Sequence, residues 1–338
     1  MNKKLFDFLS SFGMMTLGLG LVFSFTLGIN FMRTGEALSF PLSGERVVSF
    51  GGDVYNDLPQ SQPTLPVKNN NEEMKIDLSA VSAVVIDDKT GEVLFEKNKD
   101  LVRPLASITK LMSAIVLMDL PFDWSLNTEI IYDDSKHNGS HLIQEGETFS
   151  RTDLWSIALI GSSNSAIHAL ARESGLPIPG FVELMNKKAD SLSLDSLQFS
   201  EPTGLYATNQ GSAYDVARLL KSALEYQKIK ETLNTPEYYI YPIGAEKKRL
   251  VWSTNWLLTN WTPNKFSKNN LFGKTGYILN SDYNFVVSLE DKAGHRLTVS
   301  VLGASTGENR FTEARDLVEM VFDNYTWPDE EGYKDLVE

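Results

Sequence analysis

The chain has 338 residues, 42% of them apolar and 11% aromatic, which is ample for a large buried core. Its 31 basic against 44 acidic residues leave a net charge of −13, and this excludes a nucleic-acid binder, which needs a basic stripe to displace phosphate counterions. Cysteine is absent, which removes disulfides, thiolate nucleophiles, zinc fingers and lipid attachment through a cysteine.

From Phe8 to Met32 there are 25 residues without a charge, a stretch that as a helix would span roughly 37 Å, more than the hydrocarbon core of a bilayer requires. Lys3 and Lys4 precede it and Arg33 follows, so the positive-inside bias predicts an N-terminal transmembrane anchor over residues 1–35 with the rest of the chain outside the cytoplasm. A cleaved signal peptide is the rival. Its apolar region would run only about 7 to 15 residues and end in a small-x-small site, of which Gly35-Glu36-Ala37 is a poor version. The expected location is the cell membrane, single-pass, with the catalytic part extracytoplasmic. Residues 36–75, with Pro41, Pro59, Pro63, Pro66 and the Asn69-Asn70-Asn71 tract, read as a linker of roughly 35 Å as a flexible coil. Its one apolar patch, RVVSF at 46–50, could be a short strand.

A folded domain is expected over residues 76–325. AVSAVVID and EVLFEKN flank Asp88-Lys89-Thr90-Gly91, a hairpin pattern. A helix is predicted from about Pro104, with Leu105, Ile108, Leu111, Met112, Ile115 and Val116 at helical spacing. Residues 150–230 read as amphipathic helices. NLFGKTGYI, NFVVSLE and LTVSVLGA return to strands, a last helix runs from about Arg310 to Asn324, and the acidic tail 326–338 reads as solvated. Strands, a helical middle, strands and a closing helix predict an α+β fold: an antiparallel sheet flanked by helices, with an all-helical lobe.

Ser107 and Lys110 stand at i and i+3 and so share one helix face. A serine hydroxyl is a weak nucleophile that needs a base, and a lysine becomes one when burial or nearby positive charge lowers its pKa. A solvated Ser and Lys is the commoner meaning of this pattern on its own. Two further stretches change that balance. Ser162-Ser163-Asn164 breaks an otherwise apolar helical run with polar side chains. Lys274-Thr275-Gly276 sets a cation, a hydroxyl and a residue without a side chain in a strand-like segment, where another backbone can pass close.

S-x-x-K, S-x-N and K-T-G in this order resemble the penicillin-binding proteins and serine β-lactamases. ASITKLMSA, SSNSA, FSEPTGL (199–205) and GKTGY make the chain similar to the low-molecular-weight D-alanyl-D-alanine peptidases of the S11 kind, over about residues 77–322. The resemblance implies a β-lactamase/DD-peptidase-like fold and a D-Ala-D-Ala carboxypeptidase that acts on peptidoglycan stem peptides in cell-wall remodelling. It implies β-lactams as covalent inhibitors, and neither cofactor nor metal. By position it implies that Ser107 forms the acyl-enzyme with Lys110 as base. Ser162 would relay a proton to the leaving amine, and Asn164 would hold a substrate amide. Lys274 and Thr275, beside Gly276, would bind the terminal carboxylate. The oxyanion hole would come from the N–H groups of Ser107 and Tyr277. Ser163 stands where the family commonly has Gly, and Tyr277-Ile278-Leu279-Asn280-Ser281 lacks its usual Thr and Ala-Gly, which bears on substrate preference.

Other patterns compete. Gly303-Ala304-Ser305-Thr306-Gly307 matches a nucleophile elbow, but no histidine follows His295 as that triad order demands. His137 and His141 flank Asn-Gly-Ser and read as surface residues, and His168 reads as a packed core histidine. Glu183 lies in an amphipathic helix, where a solvent-facing role fits better than that of a β-lactamase's deacylating carboxylate. The residues after the last predicted helix leave little room for the additional β-domain many carboxypeptidases of this family carry, which keeps an endopeptidase of peptidoglycan cross-links as the alternative.

Overall fold

The computed structural model describes residues 65–70, 72–136 and 142–337. The expected anchor at 1–35, most of the expected linker with its RVVSF patch, and His137 and His141 lie outside them. Among the described residues, no helix is long and apolar enough to cross a membrane.

The frame is a five-stranded sheet. Its first hairpin is β1 (Ser82–Asp87) and β2 (Val93–Lys97). The later strands are β3 (Phe272–Ile278), β4 (Asp282–Glu290) and β5 (Arg296–Ala304). The strand order is β3-β4-β5-β1-β2, antiparallel throughout. All six residues of β1 are buried, as a strand covered on both faces requires. Alternation sorts them: Val84 and Ile86 join one core, Ala83 and Val85 the other.

The first core is the helical lobe. Its centre is α1 (Lys110–Asp119), buried from Lys110 to Leu117, the pattern of a helix surrounded by protein. Around it lie α2 (Arg151–Leu159), α3 (Asn164–Arg172), α4 (Ile178–Ser191) and α5 (Ala213–Ala223). Ser150, Ser163 and Ser212 cap α2, α3 and α5, each accepting a hydrogen bond from the backbone N–H three residues on. The second core covers the opposite sheet face with Phe311, Ala314, Leu317, Val318 and Val321 of α6 (Asn309–Asn324).

Two expectations change. The helix predicted from about Pro104 is divided: Arg103–Pro104 is a short strand paired with Gln210–Gly211, Ala106–Thr109 is a 3-10 turn, and the α-helix starts at Lys110. Ala106 takes φ 52°, outside the helical region, so Ser107 stands just ahead of α1 and not in its first turn. The tail is docked instead of solvated. Tyr325–Thr326 pairs with Val67–Lys68, and the buried Trp327 indole donates to Asp87 Oδ2 at 3.0 Å. Its ring stacks on His295 at 4.8 Å between centroids.

Candidate active site

The turn that carries Ser107 is held from three sides. Asn284 Nδ2 in β4 donates to Pro104 O at 2.9 Å and to Leu105 O at 3.2 Å. Gly276 of β3 lies so near that a Cβ there would sit 2.5 Å from Leu105 O, and one on Gly204 (φ +90°) would sit 1.9 Å from Ala106 O. Both positions need glycine, the first for close approach and the second also for its backbone angle. The 202–204 loop is itself pinned by Glu201, whose carboxylate accepts from the N–H groups of Thr203 at 2.7 Å and Gly204 at 2.6 Å.

Lys110 is completely buried, and its Nζ lies 2.8 Å from Ser107 Oγ. It also donates to Asn164 Oδ1 at 2.6 Å and to Thr203 O at 2.7 Å. Burial lowers its pKa to about 7, against the opposing pull of the Glu201 carboxylate. Lys274, equally buried, donates to Ser162 Oγ at 2.7 Å and to Thr275 O at 3.1 Å. Burial, and then the charges of Lys110 and Arg310, hold Lys274 well below the ordinary lysine value. Ser162 occupies the break between α2 and α3 with φ 60°, a backbone position costly for a side-chain-bearing residue and found where its neighbours over-determine it. The Thr275 hydroxyl donates to Thr254 Oγ1 at 2.7 Å.

Hydrogen bonds from the buried lysines thus link Ser107 with Lys110 and Asn164, and Ser162 with Lys274. Gly276 abuts the Ser107 turn. Tyr277 follows it on β3 with an exposed ring stacked on Tyr283 at 4.4 Å. Sequence reasoning missed Thr254 and Arg310, which donates to Gly276 O at 3.2 Å and whose burial lowers its pKa to about 10. Glu201 lay within the quoted FSEPTGL stretch, yet its loop-anchoring bonds had no sequence signature.

The rival sites are accounted for. Ser305 is an exposed residue of the turn after β5 and accepts from Asn309 Nδ2 at 3.0 Å. Glu183 is exposed and pairs with Lys187 at 2.6 Å. The buried His168 has Nδ1 2.7 Å from Asp134 Oδ1, which Arg172 also contacts.

A serine hydroxyl against a buried lysine, with a second lysine from the sheet bonded to a second serine, is the kind of arrangement that can carry serine acyl transfer with an amine as base. A family model described as D-alanyl-D-alanine carboxypeptidase matches residues 68–306, and the chain belongs to this family, peptidase S11. A D-alanyl-D-alanine endopeptidase of Pseudomonas aeruginosa is 34% identical over 212 residues, 60% of this chain and 66% of that protein. The D-alanyl-D-alanine carboxypeptidase DacF of Bacillus subtilis is 32% identical over 254 residues, 73% of this chain and 63% of that one. The match thus spans under two thirds of either relative. Penicillin-binding protein D2 of Listeria monocytogenes, solved with cefotaxime bound, has a TM-score of 0.64 at 28% identity, covering 73% of this chain and 99% of that one. The fold is also that of the Streptomyces K15 DD-transpeptidase, with a TM-score of 0.66 at 22% identity over 74% of this chain and 99% of that one.

Proposed function

We propose that this chain is a serine-type D-Ala-D-Ala carboxypeptidase that acts on peptidoglycan stem peptides through an acyl-enzyme on Ser107. The observation that carries the reading is the buried Lys110 amine, with its pKa near 7, 2.8 Å from Ser107 Oγ. At neutral pH a large share of it is unprotonated and able to take the hydroxyl proton.

In the proposed cycle Ser107 Oγ bonds to the scissile carbonyl carbon as its proton passes to Lys110. The carbonyl oxygen becomes an oxyanion facing the N–H groups of Ser107 and Tyr277, where one donor is typically worth about 10²- to 10³-fold in rate. Collapse breaks the C–N bond, and Ser162 relays the proton from Lys110 to the departing amine. Water then attacks the ester carbon and gives a proton to Lys110; as the acyl C–Oγ bond breaks, Lys110 returns that proton to Ser107 Oγ, and the peptide acid leaves with both groups restored. Lys274 and Thr275 hold the terminal carboxylate, whose negative charge opposes the burial that lowers the Lys274 pKa. Asn164, with Oδ1 bound to Lys110, presents its amide nitrogen to a substrate carbonyl.

Labelled penicillin tests this. The full-length protein is expected to form a stable covalent adduct that peptide mapping locates on Ser107; failure to acylate, or acylation elsewhere, would sink the reading. Cleavage of cross-links is the second reading, favoured by the 34% identity of the Pseudomonas endopeptidase. Digests of monomeric and cross-linked muropeptides separate the two by the bond that disappears. A β-lactamase reading is disfavoured because Glu183 points to solvent in an ion pair, and slow release of the adduct is the expected outcome. We further propose attachment to the cell membrane through residues 1–35, with an extracytoplasmic body. This rests on the uncharged stretch behind Lys3 and Lys4.

A further inference from the structure

A two-stranded hairpin, Glu237–Ile240 with Arg249–Trp252, packs next to the site: Val251 Cγ1 would lie 2.7 Å from a Cβ on Gly161, the residue before Ser162. Its register pairs Glu237 with Trp252 and Tyr239 with Leu250, so these four side chains share one face. Ile240 and Val251, on the other face, are buried in the helical-lobe core. The outer face is therefore aromatic without being core: Trp252 is 47% exposed, and Trp261, at 6.3 Å between ring centroids, is 59% exposed. Trp261 leans on Trp256 at 5.7 Å, and Trp256 stacks on the buried Phe311 at 5.1 Å. Trp261 is thus backed by Trp256 and, through it, by Phe311, and Trp252 lies beside Trp261.

Trp252 lines a cavity of about 320 Å³ in which Pro236 and Leu258 stand beside Asn234, Glu237, Thr259 and Lys268, near the lower end of ligand-pocket sizes. Indole faces flanked by amides, a hydroxyl and charged groups suit a ligand that is apolar on one side and rich in hydroxyl and acetamido groups along its edge. The faces of a pyranose ring present polarised C–H bonds, which the negative face of an indole attracts. The chain's net charge of −13 disfavours a polyanion. The platform also connects directly to the chemistry. Trp252 precedes by two residues Thr254, whose hydroxyl accepts from Thr275, and two extended residues span only about 7 Å.

We propose that Trp252 and Trp261 form a glycan-binding platform that takes the N-acetylated sugar strand of peptidoglycan and holds the polymer beside the Ser107 site. This rests on the peptidoglycan reading above, and the test separates the two. The full-length protein is titrated with the N-acetylglucosamine tetramer by tryptophan fluorescence and calorimetry, and in parallel acylated with labelled penicillin. The wild type is expected to bind the tetramer. W252A and W261A are each expected to weaken that binding about tenfold and to raise KM on glycan-bearing muropeptide similarly. Penicillin acylation and turnover of a glycan-free pentapeptide should stay within about twofold. Acylation without tetramer binding, or variants that bind the tetramer like wild type, overturns the platform and leaves the peptidase reading standing. A change in oligomeric state on substitution without saccharide binding also overturns it, in favour of a self-interface. Tetramer binding without acylation overturns the peptidase reading instead.

Discussion

At the residue scale the proposed chemistry depends on a lysine whose charge is disfavoured by burial. Lys110 has a folded pKa near 7 and an ordinary value of 10.5, so the unfolded chain binds a proton there that the folded chain has lost. Between those values stability is expected to rise with pH, and acylation by penicillin should rise through pH 7 and then level, as stopped-flow rates would measure. K110A is expected to slow acylation by about 10³-fold or more with the fold retained, and S107A to abolish it. The Gly204 position gives a backbone prediction: G204A brings a methyl against Ala106 O at a positive φ, so acylation should fall about tenfold or more as the Ser107 turn shifts. Ser107, Lys110, Ser162, Asn164, Lys274 and Thr275 were legible because chemistry-bearing residues recur at short spacing inside apolar segments. Thr254 and Arg310 were not. Each joins the site by a single contact across the fold, to Thr275 and to Gly276 O, and nothing local to either marks it.

At the element scale, periodicity found the sheet strands and the helices of the lobe, because each buries one face or all of itself. It ran the first helix too far towards the N-terminus. Apolar spacing over 105–116 reports what is buried, and Leu105 just before the 3-10 turn and Ile108 within it are buried as fully as they would be in a helix; the turn is held by Asn284, Gly204 and Gly276 from distant parts of the chain. The tail was misread for a related reason: its acidic residues are its outer surface and also the partners of His295. His295 Nε2 lies 3.0 Å from Asp329, and Nδ1 lies 3.1 Å from Asp291 and 3.8 Å from Glu330. Burial works against its charge, but Asp329 and Asp291 outweigh it and raise the pKa. A raised histidine pKa gives stability that is present at low pH and lost as pH passes upward through the folded value. Hydrogen exchange of 325–337 should therefore quicken as pH rises through that range, beyond its intrinsic pH dependence, and H295N should remove this extra dependence.

At the scale of the whole molecule, the sheet separates two cores among the described residues, and the candidate site lies where β3 meets the turn ahead of α1. An adduct on Ser107 that also engages Lys274 and Thr275 ties these parts together. Acylation by a slowly released penicillin is expected to raise the melting temperature by several degrees, since each kcal/mol is worth about 2–4 °C at this size. S107A should show no such shift in calorimetry. The ladder of Val67 with Thr326 and Lys68 with Tyr325 has a mechanical meaning. It brings the front of the described body and its tail side by side, before the chain reaches β1. Tension applied through the residues ahead of Leu65 would load these few bonds first, a fuse that yields while the serine and its amine keep their spacing.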